Sequence, residues 1–233
     1  MSERTTADPV PEDQLRGDVD QVMQAIARGG VALVPLDIAY AIIAATPQGI
    51  RKIFDAKNRS YDKPSGMFAN WEMSAEIHIL EEEKRRMIRE VVEEEKIPFS
   101  VVAPFRGDHP LLQAADPFVL DASSKAGTLD MLLNAGQFHD EIARQSVLRN
   151  LPVFGSSANT SLTGSKYRLA DIDAPVREAG DVAFDYGRSM YANENGLSST
   201  IIDFRDFSIV RRGVVFDRLE AVFRDRFGVE LSA

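Results

Sequence analysis

The 233-residue chain carries 36 acidic and 27 basic residues, a formal net charge of −9, and no cysteine. The missing cysteine excludes disulfides, thiolate metal sites and a cysteine nucleophile, and the acidic balance disfavours a partner gripped through a polyanionic backbone. No stretch reaches the roughly 18 apolar residues that a transmembrane helix requires, and the first residues lack a basic-then-apolar leader pattern; a cytoplasmic protein with no membrane partner is the expectation. The length suffices for a sizeable core, so one domain is predicted over 12–233, preceded by a flexible polar arm over 1–11.

Leu15, Val19, Val22, Met23 and Ile26 recur at helical spacing and predict a helix over 12–28, closed by Gly29-Gly30. Residues 31–35 and 40–46 are near-continuous apolar runs that read as buried strands. A helix follows over 47–56, with Pro47 suited to its first turn, then a short strand over 65–69 after the Asp62-Lys63-Pro64 turn. Residues 81–95 form a charged helix in which Lys84-Arg85-Arg86 is interleaved with glutamates, a solvated face rather than a basic patch. Strands over 98–105 and 127–133 precede a helix over 138–148. The apolar run 151–154 leads into Ser156-Ser157-Ala158-Asn159 and a loop rich in Thr, Ser and Gly. A helix over 169–179, strands over 181–186, 200–204 and 209–212, and a helix over 218–227 complete the chain. Strands and helices alternate, yet several strands are separated only by turns. That pattern predicts an α/β (mixed α+β) fold, a twisted mixed sheet flanked by helices.

Small polar and basic residues sit at the ends of these apolar strands. Lys57-Asn58-Arg59 ends the second helix, Ser157-Ala158-Asn159 follows the 151–154 run with Ser165 behind it, and Ser198-Ser199-Thr200 and Arg211-Arg212-Gly213 flank the last strands. Cations, hydroxyls and amides in such places suit a nucleotide phosphate or another anion, because they give charge-assisted donors fixed directions. No glycine-rich phosphate loop or dinucleotide fingerprint is present. His78, His109 and His139 stand at no metal-ligand spacing, so no metal site is assigned. Gly155-Ser156-Ser157 lacks the frame of a nucleophile elbow.

Taken in order, these motifs resemble the YrdC family, the threonylcarbamoyl-AMP synthases of tRNA threonylcarbamoyladenosine biosynthesis. The resemblance begins at Val34-Pro35-Leu36-Asp37-Ile38-Ala39-Tyr40, runs through Lys57-x-Arg59, Lys63-Pro64, Thr128, Ser157-x-Asn159 and Ser165, and finishes at Ser199-Thr200 and Arg211-x-Gly213. It implies a YrdC-like fold and a site with two ends. At the nucleotide end it assigns Lys57 and Arg59 as the catalytic cations on the ATP phosphates, with Thr128, Ser157, Asn159, Ser165 and Arg211 binding the nucleotide. ATP with Mg²⁺ would be a substrate, with no tightly bound cofactor, and bicarbonate or another carbamoyl donor would accompany it.

At the amino-acid end the resemblance breaks down. Leu36 and Ile38 stand where the family has threonines, Phe68 where it often has histidine, and Leu132 where it has an arginine that can receive the substrate carboxylate. Ser199 alone of that group is retained. Replacing arginine by leucine costs a carboxylate its charge-assisted partner, on the order of a few kcal/mol. The expectation is therefore an enzyme forming a carbamoyl- or acyl-adenylate from ATP, with threonine specificity altered or lost and its acceptor unknown. The alternatives are an ordinary L-threonylcarbamoyl-AMP synthase and a non-catalytic nucleotide- or RNA-binding module. Double-stranded RNA binding is a property the family implies, but at net charge −9 RNA is a weak partner.

Overall fold

The computed structural model describes residues 3–232. The first predicted helix forms as α1 (Glu12–Ala27), burying Val19, Val22, Met23 and Ile26, and the chain leaves it through Gly29 at a φ of 88°. Next come β1 (Ala32–Val34), β2 (Ala41–Ala44), α2 (Pro47–Lys57) and β3 (Gly66–Phe68). The middle of the chain holds α3 (Trp71–Ile77), α4 (Glu82–Glu93), β4 (Phe99–Pro104), α5 (Pro110–Gln113), α6 (Pro117–Asp121), β5 (Ser124–Lys125) and β6 (Thr128–Leu133). The last part runs through α7 (Gln137–Leu148), β7 (Phe154–Ser157), α8 (Ala174–Glu178), β8 (Val182–Ala183), β9 (Thr200–Asp203), β10 (Ser208–Arg211) and α9 (Phe216–Phe227).

The strands join one mixed sheet in the order β10-β9-β4-β6-β3-β7-β2-β1-β8, with β5 paired to β6. The β4–β9, β3–β6 and β1–β8 pairs are parallel and the others antiparallel. Side chains alternate between the two faces with a period of two. One set (Leu33, Ile42, Met67, Val101, Met131 and Ile202) enters a large core that also takes Ile53 and Phe54 of α2, Val91 of α4 and Phe223 of α9. The opposite face is covered only in part, where Ala32, Val34 and Ile43 pack against Val22 and Ile26 of α1 and Phe138 and Ile142 of α7. Beyond those two helices this face is lined by Ser100 and Val102 of β4, Thr128, Asp130 and Leu132 of β6, and Gly66 and Phe68 of β3, which open into a cavity. The site is the half of a sheet face that no helix covers.

Three sequence expectations need correction. The single helix over 169–179 is a short 3₁₀ turn (Leu169–Asp171) and a separate α8, because Pro175 fits a first turn and not a helix interior. The strand over 181–186 shrinks to two residues, since it is an edge strand paired only with the short β1. The polar arm over 1–11, expected to be flexible, is tied to the domain in its described part. Thr6 is buried, its Oγ1 donates to Asp37 Oδ1 at 2.6 Å, and Gln137 Nε2 donates to the carbonyls of Thr6 and Asp8, both at 2.9 Å. Short polar side chains can satisfy buried donors and acceptors that an apolar arm could not.

Candidate functional site

The site begins with the way α2 ends. Thr46 caps its start, accepting from the Gly49 amide, and Pro47 occupies the first turn. At the other end Asn58 adopts the left-handed conformation, φ 47°, and the amides of Asn58 and Arg59 donate back to Asp55 and Phe54. This closure reverses the chain within a residue and aims Lys57 and Arg59 at the end of β7. The antiparallel β2–β7 register brings that end into reach, with Ala41 opposite Ser157 and the Ala158 amide donating to Tyr40 O at 2.7 Å. Gly155 is obligatory here, since a Cβ would lie 2.6 Å from Ile42 O.

Lys57 is 1% exposed, and its Nζ donates to the Ser157 carbonyl and, at 2.5 Å, to the Asn159 carbonyl. Burial, followed by the charge of Arg59, pushes its pKa down to about 7. Arg59 donates from Nε to Lys63 O at 3.0 Å, from Nη2 to Pro64 O at 2.7 Å and from Nη1 to Ser156 Oγ at 3.2 Å. Arg211 donates from Nε and Nη2 to Ser199 O and Oγ, at 3.0 and 2.8 Å. Burial lowers both guanidinium pKa values, with Arg211 adding to the effect on Arg59. Ser157 Oγ donates to Asn159 Oδ1 at 2.5 Å and Asn159 Nδ2 to Thr160 O at 2.6 Å, so the serine–asparagine turn is internally braced. Thr128 Oγ1 donates to Lys125 O at 2.7 Å, and the Ser165 amide to Gly196 O at 3.0 Å. On the last strands, Gly213 has no room for a side chain, since a Cβ would stand 2.2 Å from Ser198 O.

Every site residue named from the sequence lines one cavity of about 850 Å³. Its polar part takes Lys57, Arg59, Thr128, Ser157, Asn159, Ser165 and Arg211. Leu36, Ile38, Phe68 and Leu132 form an apolar wall, and Ser199 stands within 3.3 Å of Ser100 Oγ. The structure adds lining residues that the motifs did not mark, chiefly Ser100, Gly66 and Asp130. Burial pushes the Asp130 pKa up to about 6, against the opposing pull of Arg211, Ser100 and Arg59. Strand alternation could have found Asp130, because it shares a face with Thr128 and Leu132. The histidines lie apart from this chemistry. His78 is buried between Ser74 Oγ and Leu129 O, His109 caps α5, and His139 packs against Phe68 from behind the apolar wall.

A fold and a polar cavity of this kind invite comparison with known proteins. Residues 24–213 match the family model Sua5_yciO_yrdC, described as "Telomere recombination". The chain belongs to the Sua5/YciO/YrdC family. The match covers both motif pairs, from before β1 to Gly213. Among solved structures, the chain is similar to a hypothetical protein, smu.1377c, from Streptococcus mutans UA159, with TM-score 0.75 and 16% identity over 95% of this chain and 93% of that one. It is also similar to P. abyssi Sua5 complexed with L-threonine, with TM-score 0.67, 18% identity and 88% of this chain covered. This chain spans only 56% of the length of that Sua5. E. coli YciO aligns over 88% of this chain and 92% of its own, with TM-score 0.63 and 14% identity. At such identities the likeness is one of fold. No curated protein matches the chain in sequence. No helix among the described residues is long and apolar enough to cross a membrane.

Proposed function

We propose that this member of the family is a nucleotide-binding enzyme that forms a carbamoyl- or acyl-adenylate from ATP, with its threonine specificity altered or lost. One observation carries the reading: a single cavity joins Lys57, Arg59, Ser157, Asn159 and Arg211 to a wall of Leu36, Ile38, Phe68 and Leu132. The polar part suits a triphosphate, and the apolar wall offers an amino-acid carboxylate nothing to bind. In the proposed reaction a carbamate or carboxylate oxygen attacks the α-phosphorus, the bond to the bridging oxygen breaks, and pyrophosphate leaves. Such a step needs no side-chain nucleophile. Arg59 and Arg211 orient the phosphates and offset the charge that develops on them, and Lys57 holds the 157–159 turn while adding its own charge beneath it. Mg²⁺ bound with ATP would supply further charge neutralisation.

The alternative of an ordinary L-threonylcarbamoyl-AMP synthase has one contact in its favour. Arg211 is anchored on Ser199, which leaves a cation near the pocket that could take a carboxylate. Pyrophosphate release from ATP and bicarbonate, compared without amino acid, with L-threonine and with apolar amino acids, separates the readings. Release that is independent of threonine supports the proposal, and release stimulated by threonine alone supports the ordinary synthase. No release under any condition, together with no ATP binding, overturns both. RNA is proposed as no more than a weak partner: at net charge −9, binding to tRNA at physiological salt should be no tighter than about micromolar. A tight complex in filter binding would favour an RNA-binding module instead.

A further inference from the structure

Of the ionisable groups that line the cavity and that the proposed reaction does not use, Asp130 alone has a buried carboxylate oxygen with no hydrogen-bond partner among the described residues. Asp130 lies in the middle of β6, facing the cavity between Thr128 and Leu132. Directly beside it across the sheet are Val102 on β4 and Gly66 on β3, which bring no polar side chain, so Ser100 on the same face of β4 is the one neutral polar group that favours its ionised form. A Cβ on Gly66 would lie 3.4 Å from Asp130 Oδ2, so the carboxylate rests over a glycine floor that continues to Gly155 on β7. Oδ1 is buried and has no hydrogen-bond partner, and among the described residues Asp130 makes no ion pair within 4 Å. The charges of Arg59 and Arg211 are nonetheless close enough to favour its ionised form. Gly155 precedes Ser156, which Arg59 contacts, so Asp130 stands about 10 Å, two strand spacings, from the phosphate-side residues.

A buried carboxylate oxygen without a partner is unfavourable in an empty site, since nothing replaces the water it has lost. The two guanidiniums make no hydrogen bond to Asp130: the bonds they form go to Lys63, Pro64, Ser156 and Ser199, and their remaining N–H groups are left for phosphate. A triphosphate bound between those arginines would place further negative charge beside Asp130. Alone, that is repulsive. A hard divalent cation changes the sign, since Mg²⁺ is commonly held by one or two carboxylates together with substrate phosphates and waters.

We infer that Asp130 is the protein ligand for the divalent cation that accompanies a nucleoside triphosphate in this cavity. The inference rests on the nucleotide reading of the site, and it makes the site selective for the metal-bound form of the triphosphate over the free anion. It also gives a role to a carboxylate that faces the same cavity as Arg59 and Arg211. Asp130 acts here on binding; the arginines keep the phosphate contacts.

The test is Asp130→Asn, which keeps the shape and removes the charge. Calorimetric titration of ATP with Mg²⁺ and of ATP in excess EDTA, into wild type and variant, measures the nucleotide directly without turnover. The expected result has opposite signs in the two arms: about tenfold or more weaker Mg-ATP binding in the variant, and unchanged or tighter binding of metal-free ATP. Mn²⁺ paramagnetic resonance of the ATP complex gives a second readout, with a spectral change between wild type and Asp130→Asn expected. Equal effects of the substitution with and without metal, or an unchanged Mn²⁺ spectrum, would overturn the assignment. If the asparagine variant does not fold, wild type alone still overturns the assignment when it binds metal-free ATP as tightly as Mg-ATP, and Asp130→Ser replaces the asparagine variant in both arms. Failure of wild type to bind ATP in either arm would instead overturn the nucleotide reading.

Discussion

Lys57 Nζ lies 2.5 Å from the carbonyl oxygen of Asn159, a contact that bridges 102 residues of sequence. It joins the lysine–arginine motif at the end of α2 to the serine–asparagine turn after β7. Of the lysine's three donors, two are spent on backbone carbonyls, of Ser157 and Asn159. Lys57 is therefore a structural pin of the cavity as well as a charge beside it.

Replacing Lys57 by Met should unsettle the fold as well as the site. The substitution leaves two carbonyls in a buried region without their donor, and each such loss costs about 1–3 kcal/mol. Removing a desolvated ammonium returns part of that, so a net loss of roughly 2 kcal/mol is expected at neutral pH, read from urea unfolding. Arg59→Ala, whose guanidinium is only partly buried, should leave the midpoint nearly unchanged and weaken ATP binding about tenfold or more. Equal ATP affinity in wild type and the Lys57→Ala, Arg59→Ala double variant would remove both residues from the nucleotide site.

The depressed pKa of Lys57, about 7, gives nucleotide binding a pH dependence. The protonated ammonium is the form that attracts phosphate, and it is lost as pH rises through that value. ATP affinity should therefore decline from pH 6 to pH 9 in wild type and stay flat in Lys57→Met, by calorimetry at constant ionic strength. Stability has the opposite trend. The folded pKa lies below that of an unfolded lysine, about 10.4, so the unfolded chain binds more protons between the two values and this group's contribution to stability increases with pH. Parallel profiles in the two proteins would show that Lys57 does not titrate in this range.

His78 should make the fold sensitive to acid. Its ring is fully buried, accepting from Ser74 Oγ and donating to Leu129 O, and burial pushes its pKa down to about 4. The unfolded histidine titrates near 6.5. Between about 6.5 and 4 the unfolded chain thus binds the extra proton, and stability falls as pH falls across that window, by up to roughly 3 kcal/mol. Thermal melts of wild type and His78→Gln should converge as pH drops from 7 to 4. A wild-type advantage that is constant with pH would count against a buried neutral imidazole.

L-Threonine should raise ATP turnover little. Sites that hydrogen-bond a substrate's polar groups draw selectivity from buried donors, and loss of those donors can cost several orders of magnitude in discrimination. Here Leu36, Ile38, Phe68 and Leu132, each no more than 9% exposed, occupy that wall. Leu132→Arg returns a cation to the wall beside Asp130 and is expected to raise the threonine response severalfold in a pyrophosphate assay. Strong threonine stimulation in wild type would restore the ordinary specificity.

Periodicity alone reveals much of this fold. The helical spacing of Leu15 to Ile26 fixed α1, the continuous apolar runs marked β1 and β2, and Pro47 marked the start of α2, because each pattern follows from local geometry and burial on one or both faces. The helices α3, α5 and α6 escaped notice because seven, four and five residues hold too few turns to show a period. Their starts are set by side-chain caps from Asn70, His109 and Asp116. The ordered motifs named the polar and apolar ends of the cavity, since strand-end cations and hydroxyls are visible in one dimension. Only the tertiary structure decided what those groups touch. It spent the donors of Lys57 on carbonyls a hundred residues away, moored the polar arm through Thr6 and Asp37, and left Asp130 without a partner on the uncovered half of a sheet face. Such outcomes depend on strand register and on which helices cover which face, and these are set by packing between segments that are distant in the chain.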